Sequence, residues 1–296
     1  MKQCALDQLL DHHARQQEQL VSLTPEGSRY FQAFEKTLDL SFTDFRGTSF
    51  EGRTLRNVDL SGADLRGVSF KGAVLEHVLL PLAKLDDTDF SGACLTYVSL
   101  RDSTAQGTAF DRAEISHCNL TQLHFTGVSF SGATISDATI NQCRFNETGF
   151  AGAELRNVAL RDTRATQCGF DGAVFERVNA AGSRFLRCQF ERTTLRHFAA
   201  KSSPGPRLER SNVAQFKLCA FKASTFQDCD LSSVRAADST FEHCSLIAST
   251  PFADFKERSI DGLLLVRSAP HPLQLEEPPA RVTPRLRKPA QSQFRL

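Results

Sequence analysis

From Leu40 to Ala200 every fifth residue is apolar without a break: of these 33 positions 13 are Leu, 13 Phe, 3 Ile and 4 Ala. Helices repeat near 3.6 residues and ordinary strands at 2, so a period of five held over so many units marks a repeat architecture. Two residues before each centre the chain places a small residue, as in the run Ala63, Val68, Ala73, Val78, Ala83, Thr88, Ala93, Val98 and Ser103. Strand alternation turns this residue and the centre to the same side, inward, and the residue between them to solvent. Two residues after the centre, Gly occurs 12 times in this block, and Asn57, Asp87, Asp102, Asp137 and Asn157 share its column. These residues tolerate positive φ. Each five-residue unit therefore reads as a very short strand followed by a corner.

The segments Ser61-Gly62-Ala63-Asp64-Leu65-Arg66-Gly67, Ser91-Gly92-Ala93-Cys94-Leu95 and Ala151-Gly152-Ala153-Glu154-Leu155 resemble the pentapeptide-repeat family, whose units read small, polar, Leu or Phe, any, any. The resemblance implies an all-β solenoid, a right-handed quadrilateral β-helix with four units per coil. It implies little about function, because such solenoids are scaffolds whose activity lies on their surfaces.

The period sets the organisation. Residues 38–200 make a first β-helix block. A projecting loop of Pro, Gly and Ser follows at 201–212, with Lys201, Pro204, Pro206, Arg207 and Arg210 as its candidate contact residues. The register then slips by one, and Phe216, Phe221, Phe226, Leu231, Ala236, Phe241 and Leu246 centre a second block over 213–250. About ten coils at a strand spacing of about 4.8 Å give a rod nearly 50 Å long. Residues 1–37 are expected to hold a short helical cap over the first coil, with Leu6, Leu9, Leu10, Leu20 and Val21 as its apolar stripe. Residues 251–268 are expected to close the far end, with Gly262 to Val266 as a terminal strand. The segment 269–296 reads as an irregular, Pro-rich basic tail, since seven of the eleven prolines fall between Pro251 and Pro289. Two local exceptions stand out. Arg53 occupies a small inward position, which predicts a distorted or open first coil, and an oversized Phe198 faces an undersized Ala200.

Seven of the nine cysteines (Cys118, Cys143, Cys168, Cys188, Cys219, Cys229 and Cys244) fall in the small inward column, where a thiol acts as a compact hydrophobe. No Cys-x-x-Cys spacing occurs, so neither a metal nor a disulfide is expected, although Cys168 and Cys188 should stack in adjacent coils. The odd count, with no charged-then-apolar leader, argues for a cytoplasmic protein or one exported without a cleaved signal. No stretch is long enough to span a membrane as a helix.

Charge bears on what the resemblance implies. Some pentapeptide-repeat proteins protect DNA gyrase from quinolones as mimics of DNA, which requires an acidic rod. Here the chain is +1, and residues 38–200 carry 17 basic and 19 acidic side chains. That is far from a duplex carrying one charge per about 1.7 Å. The charge is graded, with 6 basic against 9 acidic over 38–100 and 9 against 6 over 141–200. His77, Tyr97 and His117 share one turn column but point outward in parallel, too far apart for the two histidines to share a zinc, and no catalytic residues or cofactor site can be assigned. The tail residues Arg281, Arg285, Arg287 and Lys288 lack interleaved aromatics, which disfavours direct nucleic-acid binding.

One surface feature departs from the repeat. In Val78-Leu79-Leu80-Pro81-Leu82-Ala83, Leu80 is inward, and Leu79, Pro81 and Leu82 are left outside, bordered by His77 and Tyr97. Exposed apolar clusters often mark protein contacts. The sequence thus points to a non-enzymatic, bacterial-type interaction scaffold that contacts a protein partner or, as a homodimer, a second copy of itself. Alternative readings are a topoisomerase-binding quinolone protector and a secretion-system effector or accessory protein.

Overall fold

The computed structural model describes residues 1–23, 37–199, 213–232 and 234–250, together with the strand segments Ile260–Asp261 and Leu264–Val266. A single helix, Gln3–Leu23, precedes a parallel β-solenoid of about ten coils. Before the insertion, strand residues pair with those 20 further on: Thr54 with Val74, Cys94 with Glu114, Arg144 with Arg164. Four columns of pairing result. We name the faces by their inward centres: face A (Leu40, Leu60, Leu80), face B (Phe45, Leu65, Leu85), face C (Phe50, Phe70, Phe90) and face D (Leu55, Leu75, Leu95). All these centres are buried.

The interior follows from the period. On face C ten successive coils supply Phe, from Phe50 to Phe241, and the rings stack at 4.5–5.0 Å. Phe125, Phe145 and Phe216 of face B meet that stack edge-on at about 5.4 Å, the geometry that aromatic quadrupoles favour. Phe198 is buried, and its ring lies 6.3 Å from Phe175 and 6.4 Å from Phe216. It thus reaches across toward face B where face A offers only Ala180, the large residue filling the space beside a small one. Ala200 itself lies outside the described residues.

The small inward column has a second task. In many units the centre carbonyl accepts a turn bond from the N–H three residues on, as from Ala63 to Leu60 and from Thr88 to Leu85. Where the small residue carries a donor, it also bonds the centre carbonyl of the coil before: Thr88 to Leu65, Ser103 to Leu80, Thr108 to Leu85 and Cys143 to Leu120. Buried hydroxyls and thiols are thereby satisfied without polar partners of their own. The seven inward cysteines are all buried and unbridged. Burial pushes the Cys118 thiol up to about 11 and that of Cys143 to about 12. Cys168, Cys188 and Cys219 form a three-thiol column in which the hydrogen bonds that Cys188 donates to its neighbours, together with burial, raise its thiol.

Corners carry the backbone cost. Among the described residues, the residue two after the centre has positive φ in 12 glycines and in 26 non-glycine residues, among them Phe42, Leu82, Arg112 and Ala223. A non-glycine side chain in this region costs roughly 1–2 kcal/mol, so the fold imposes the conformation on residues that do not favour it.

The helix closes the first coil by direct replacement of the missing neighbour. The Gln3 side-chain amide donates to the Ser49 carbonyl at 2.9 Å and accepts from the Ser49 N–H at 2.8 Å, as a preceding strand would. His13 donates from Nε2 to the Arg56 carbonyl at 2.8 Å, and Gln17 Oε1 accepts from Asn57. Leu6, Leu10, His13 and Gln17 are the buried face. Leu9, expected in the apolar stripe, is instead 37% exposed, because it lies off the face that Leu6, Leu10 and His13 form at helical spacing. The side chains of Leu20 and Val21 lie outside the described residues. Arg53 also departs from expectation. Its coil is regular, with the turn bond from Arg53 N to Phe50 O at 3.0 Å and the ladder bond from Val74 N to Arg53 O at 2.9 Å. The guanidinium leaves the inward column at the open edge and meets Asp7 at 2.7 Å and Asp11 at 3.1 Å on the helix, so no distortion is needed.

Across the insertion after Ala199 the faces continue in register: Phe185 pairs with Phe216, Phe190 with Phe221 and Leu195 with Phe226. At the far end, Leu264–Val266 pairs with Ser245–Ile247 and Ile260–Asp261 with Phe241 and Glu242. If the helix completes the core, Leu6→Ala should lower unfolding free energy by about 2–5 kcal/mol while Leu9→Ala stays within about 0.5. Chemical denaturation of the two variants compares them, and equal losses would show that the helix does not seal the coil as described.

Candidate interaction surface

Face A and its two bordering corners carry the apolar surface. Leu79 stands outward on the face and is 41% exposed, and Leu82 sits on the corner toward face B at 62%. Both are surface residues although their main chains belong to the coil: Leu79 N–H donates to Val58 at 3.0 Å and Leu82 N–H to Arg101 at 3.1 Å. Pro81, expected to be exposed, is half-buried between them.

Proline has no backbone N–H, yet Pro81 removes no donor from the ladder. On face A the residue after the centre turns its N–H away from the ladder in several coils. There it is bound by the side chain two residues earlier: Ser41 by Asp39, Ser61 by Asp59, Thr121 by Asn119 and Ala181 by Asn179. Leu79 stands where these Asp and Asn acceptors stand, and Pro81 where their N–H donors stand. A leucine cannot accept and a proline cannot donate, so the pair leaves nothing unsatisfied. The neighbouring ladder bonds persist, from Gly62 N to Pro81 O at 2.8 Å and from Leu80 N to Ser99 O at 2.7 Å.

On the corner toward face D, His77, Tyr97 and His117 form a stacked ladder. His77 lies 4.9 Å from Tyr97 at an interplanar angle of 1°, and His117 lies 5.0 Å from Tyr97 at 13°. Tyr97 therefore separates the two imidazoles. Among the described residues no group of three His, Cys, Asp or Glu is arranged to hold one. All three ladder residues have positive φ.

Sequence reasoning missed Phe42. It occupies the same corner column as Leu82, 40 residues earlier, also has positive φ, and is 79% exposed. Its ring lies flat on the corner of the intervening coil: a Cβ on Gly62 would stand 2.5 Å from Phe42 Cε1. The period marks Phe42 as a corner residue, and Phe in a column of Gly, Asn and Asp was the available signal. The surface is thus an aromatic ridge on one corner, Leu79 on the face, and Phe42 and Leu82 on the other corner. The loop residues Lys201, Pro204, Pro206, Arg207 and Arg210 and the tail residues Arg281, Arg285, Arg287 and Lys288 lie outside the described residues. No described helix is long and apolar enough to cross a membrane.

A family model for pentapeptide repeats matches this sequence in 8 copies, over residues 39–72, 83–122 and 108–146. Among solved structures, the chain is similar to HetL, a pentapeptide repeat protein involved in heterocyst differentiation regulation in the cyanobacterium Nostoc, with 18% identity over 81% of this chain and 88% of that one and a TM-score of 0.35. It is also similar to QnrB1, a plasmid-mediated fluoroquinolone resistance protein, with 21% identity over 68% of this chain and 91% of that one and a TM-score of 0.23. A third is a pentapeptide repeat protein of the Arabidopsis thaliana thylakoid lumen, 28% identical over 38% of this chain and 72% of that one, with a TM-score of 0.19. No curated protein matches the sequence.

The Phe42 contact can be isolated. Gly62 and Gly67 share positive φ, but nothing lies within 4 Å of a Cβ built on Gly67. Gly67→Ala should cost roughly 1–2 kcal/mol for the conformation alone, and Gly62→Ala should cost more because the ring must also move. Equal melting temperatures for the two variants would show that Phe42 does not rest there.

Proposed function

Because this chain is a pentapeptide-repeat protein folded as a four-sided solenoid, we propose that it is a non-enzymatic scaffold that binds a protein partner through face A. The observation that carries this reading is the retention of Phe42, Leu79, Leu82 and Tyr97 as exposed apolar side chains, three of them in a backbone conformation that disfavours them. Core packing does not require them, and the corner would be better served by Gly, Asn or Asp. Stability given up at a surface is what a binding site leaves behind. The surface also has the make-up of a contact patch, aromatic and aliphatic groups held rigidly by the coils beneath them.

Leu79→Asp combined with Leu82→Asn should leave the melting temperature unchanged or slightly raised. It should reduce recovery of the partner in an affinity capture from the source lysate by at least about fivefold, the effect of losing about 1 kcal/mol. Undiminished recovery with the fold intact would remove face A from the interface.

The quinolone-protector reading depends on an acidic rod, and the 17 basic and 19 acidic residues of 38–200 do not provide one. We expect gyrase supercoiling in the presence of a quinolone to be unaffected by equimolar purified protein. Restored supercoiling would favour the protector reading over ours.

A further inference from the structure

We propose that the C-terminal half of face B is a docking surface for the phosphodiester backbone of a nucleic-acid duplex, read without regard to sequence. The coil register brings together residues that the sequence holds 20 or more apart. Arg144 pairs with Arg164, and Arg164 with Arg184, in three adjacent strands, and Arg184 with Gln215, which pairs with Arg235. His124 precedes the run, paired with Arg144. The step between coils on this face is 4.8 Å, as measured by the rings of Phe125 on Phe145 and Phe185 on Phe216.

All four arginines are exposed, and none of them is in an ion pair among the described residues. Elsewhere on the rod Arg46, Arg56, Arg66, Arg156 and Arg192 each meet a carboxylate within 2.9 Å. The acidic groups that flank the stripe on its corners are Glu147, Asp162 and Asp238, and Asp162 is turned over the Gly182 corner. Arg161, Arg187 and Lys217 add further exposed cations.

Like charges directly opposite in neighbouring strands destabilise a sheet. Three arginines in an unbroken ladder therefore oppose the fold unless an anion lies across them. A carboxylate-bearing protein surface mixes its charges, whereas a duplex presents an unbroken line of one sign, and counterion release makes it the partner that gains most from such a stripe. Among the described residues face B has no exposed aromatic ladder on which single-stranded bases would stack, which favours the paired form. This surface is separate from face A and does not depend on the reading given for it. It also departs from the expectation drawn from net charge and the tail, because a total of +1 conceals a segregated stripe.

The full chain should bind a labelled duplex of about 24 base pairs at about 50 mM salt in fluorescence anisotropy, and the slope of log affinity against log salt should match about three phosphates, near −2.7. The triple variant Arg144→Gln, Arg164→Gln, Arg184→Gln should bind at least about tenfold more weakly and flatten that slope by about 2.7. Its melting temperature should hold or rise. The control Arg56→Gln, Arg156→Gln, Arg177→Gln removes the same charge from another face and should leave affinity within about twofold. Should the triple ladder variant fail to fold, single Arg164→Glu tests the same ladder. The proposal is overturned by no binding at low salt, by equal losses in both triple variants, or by poly-glutamate displacing the duplex at equal charge, which would assign the stripe to an acidic protein.

Discussion

Everything in this molecule depends on one constraint: each peptide must meet its counterpart 20 residues later across a parallel ladder. That requirement makes each coil close in four units, places every fifth side chain over another, and leaves no freedom at the corners. The 4.5–5.0 Å ring spacing on face C is simply the ladder spacing seen from inside. So is the acceptance of Leu, Arg and Ala at positive φ, since a corner that reverted to extended backbone would break the pairing of its own coil with both neighbours.

The same register decides how surface chemistry is made. A residue's neighbours in sequence face elsewhere, and its functional neighbours are 20 away in both directions. The His77, Tyr97 and His117 ridge and the Arg144, Arg164 and Arg184 stripe are each written as three isolated letters and become continuous only in the coil. Two faces of one rod thus carry opposite kinds of surface, one apolar and one basic, on a shared core.

Much of this was legible in the sequence, and the remainder was not for identifiable reasons. The period gave the inward centres and the cysteines of the small column, because volume alternation is a one-dimensional pattern, whereas the place of Phe198 beside Ala180 of the preceding coil emerged only from the structure. The outward positions of Leu79 and Leu82 followed from the same count. His13 and Gln17 were hidden because they bury polar groups against the open edge of a coil, which a search for apolar stripes passes over. Arg53 was misjudged because its partners, Asp7 and Asp11, lie on the helix more than 40 residues away. Phe42 escaped because a corner column read for glycine invites no attention to an aromatic.

The Leu79 and Pro81 pair has a wider consequence for the coil as a building unit. Proline normally interrupts a sheet, yet here it sits between strands whose hydrogen bonds run on undisturbed. The position that follows each face A centre is thus exempt from the rule that excludes proline, provided that the polar acceptor two residues earlier is given up with it. A solenoid of this kind holds a row of sites, one per coil, where the unfolded chain can be stiffened by ring closure at no expense to the ladder. Rigidity can be written into its edge one turn at a time, independently of what the core contains.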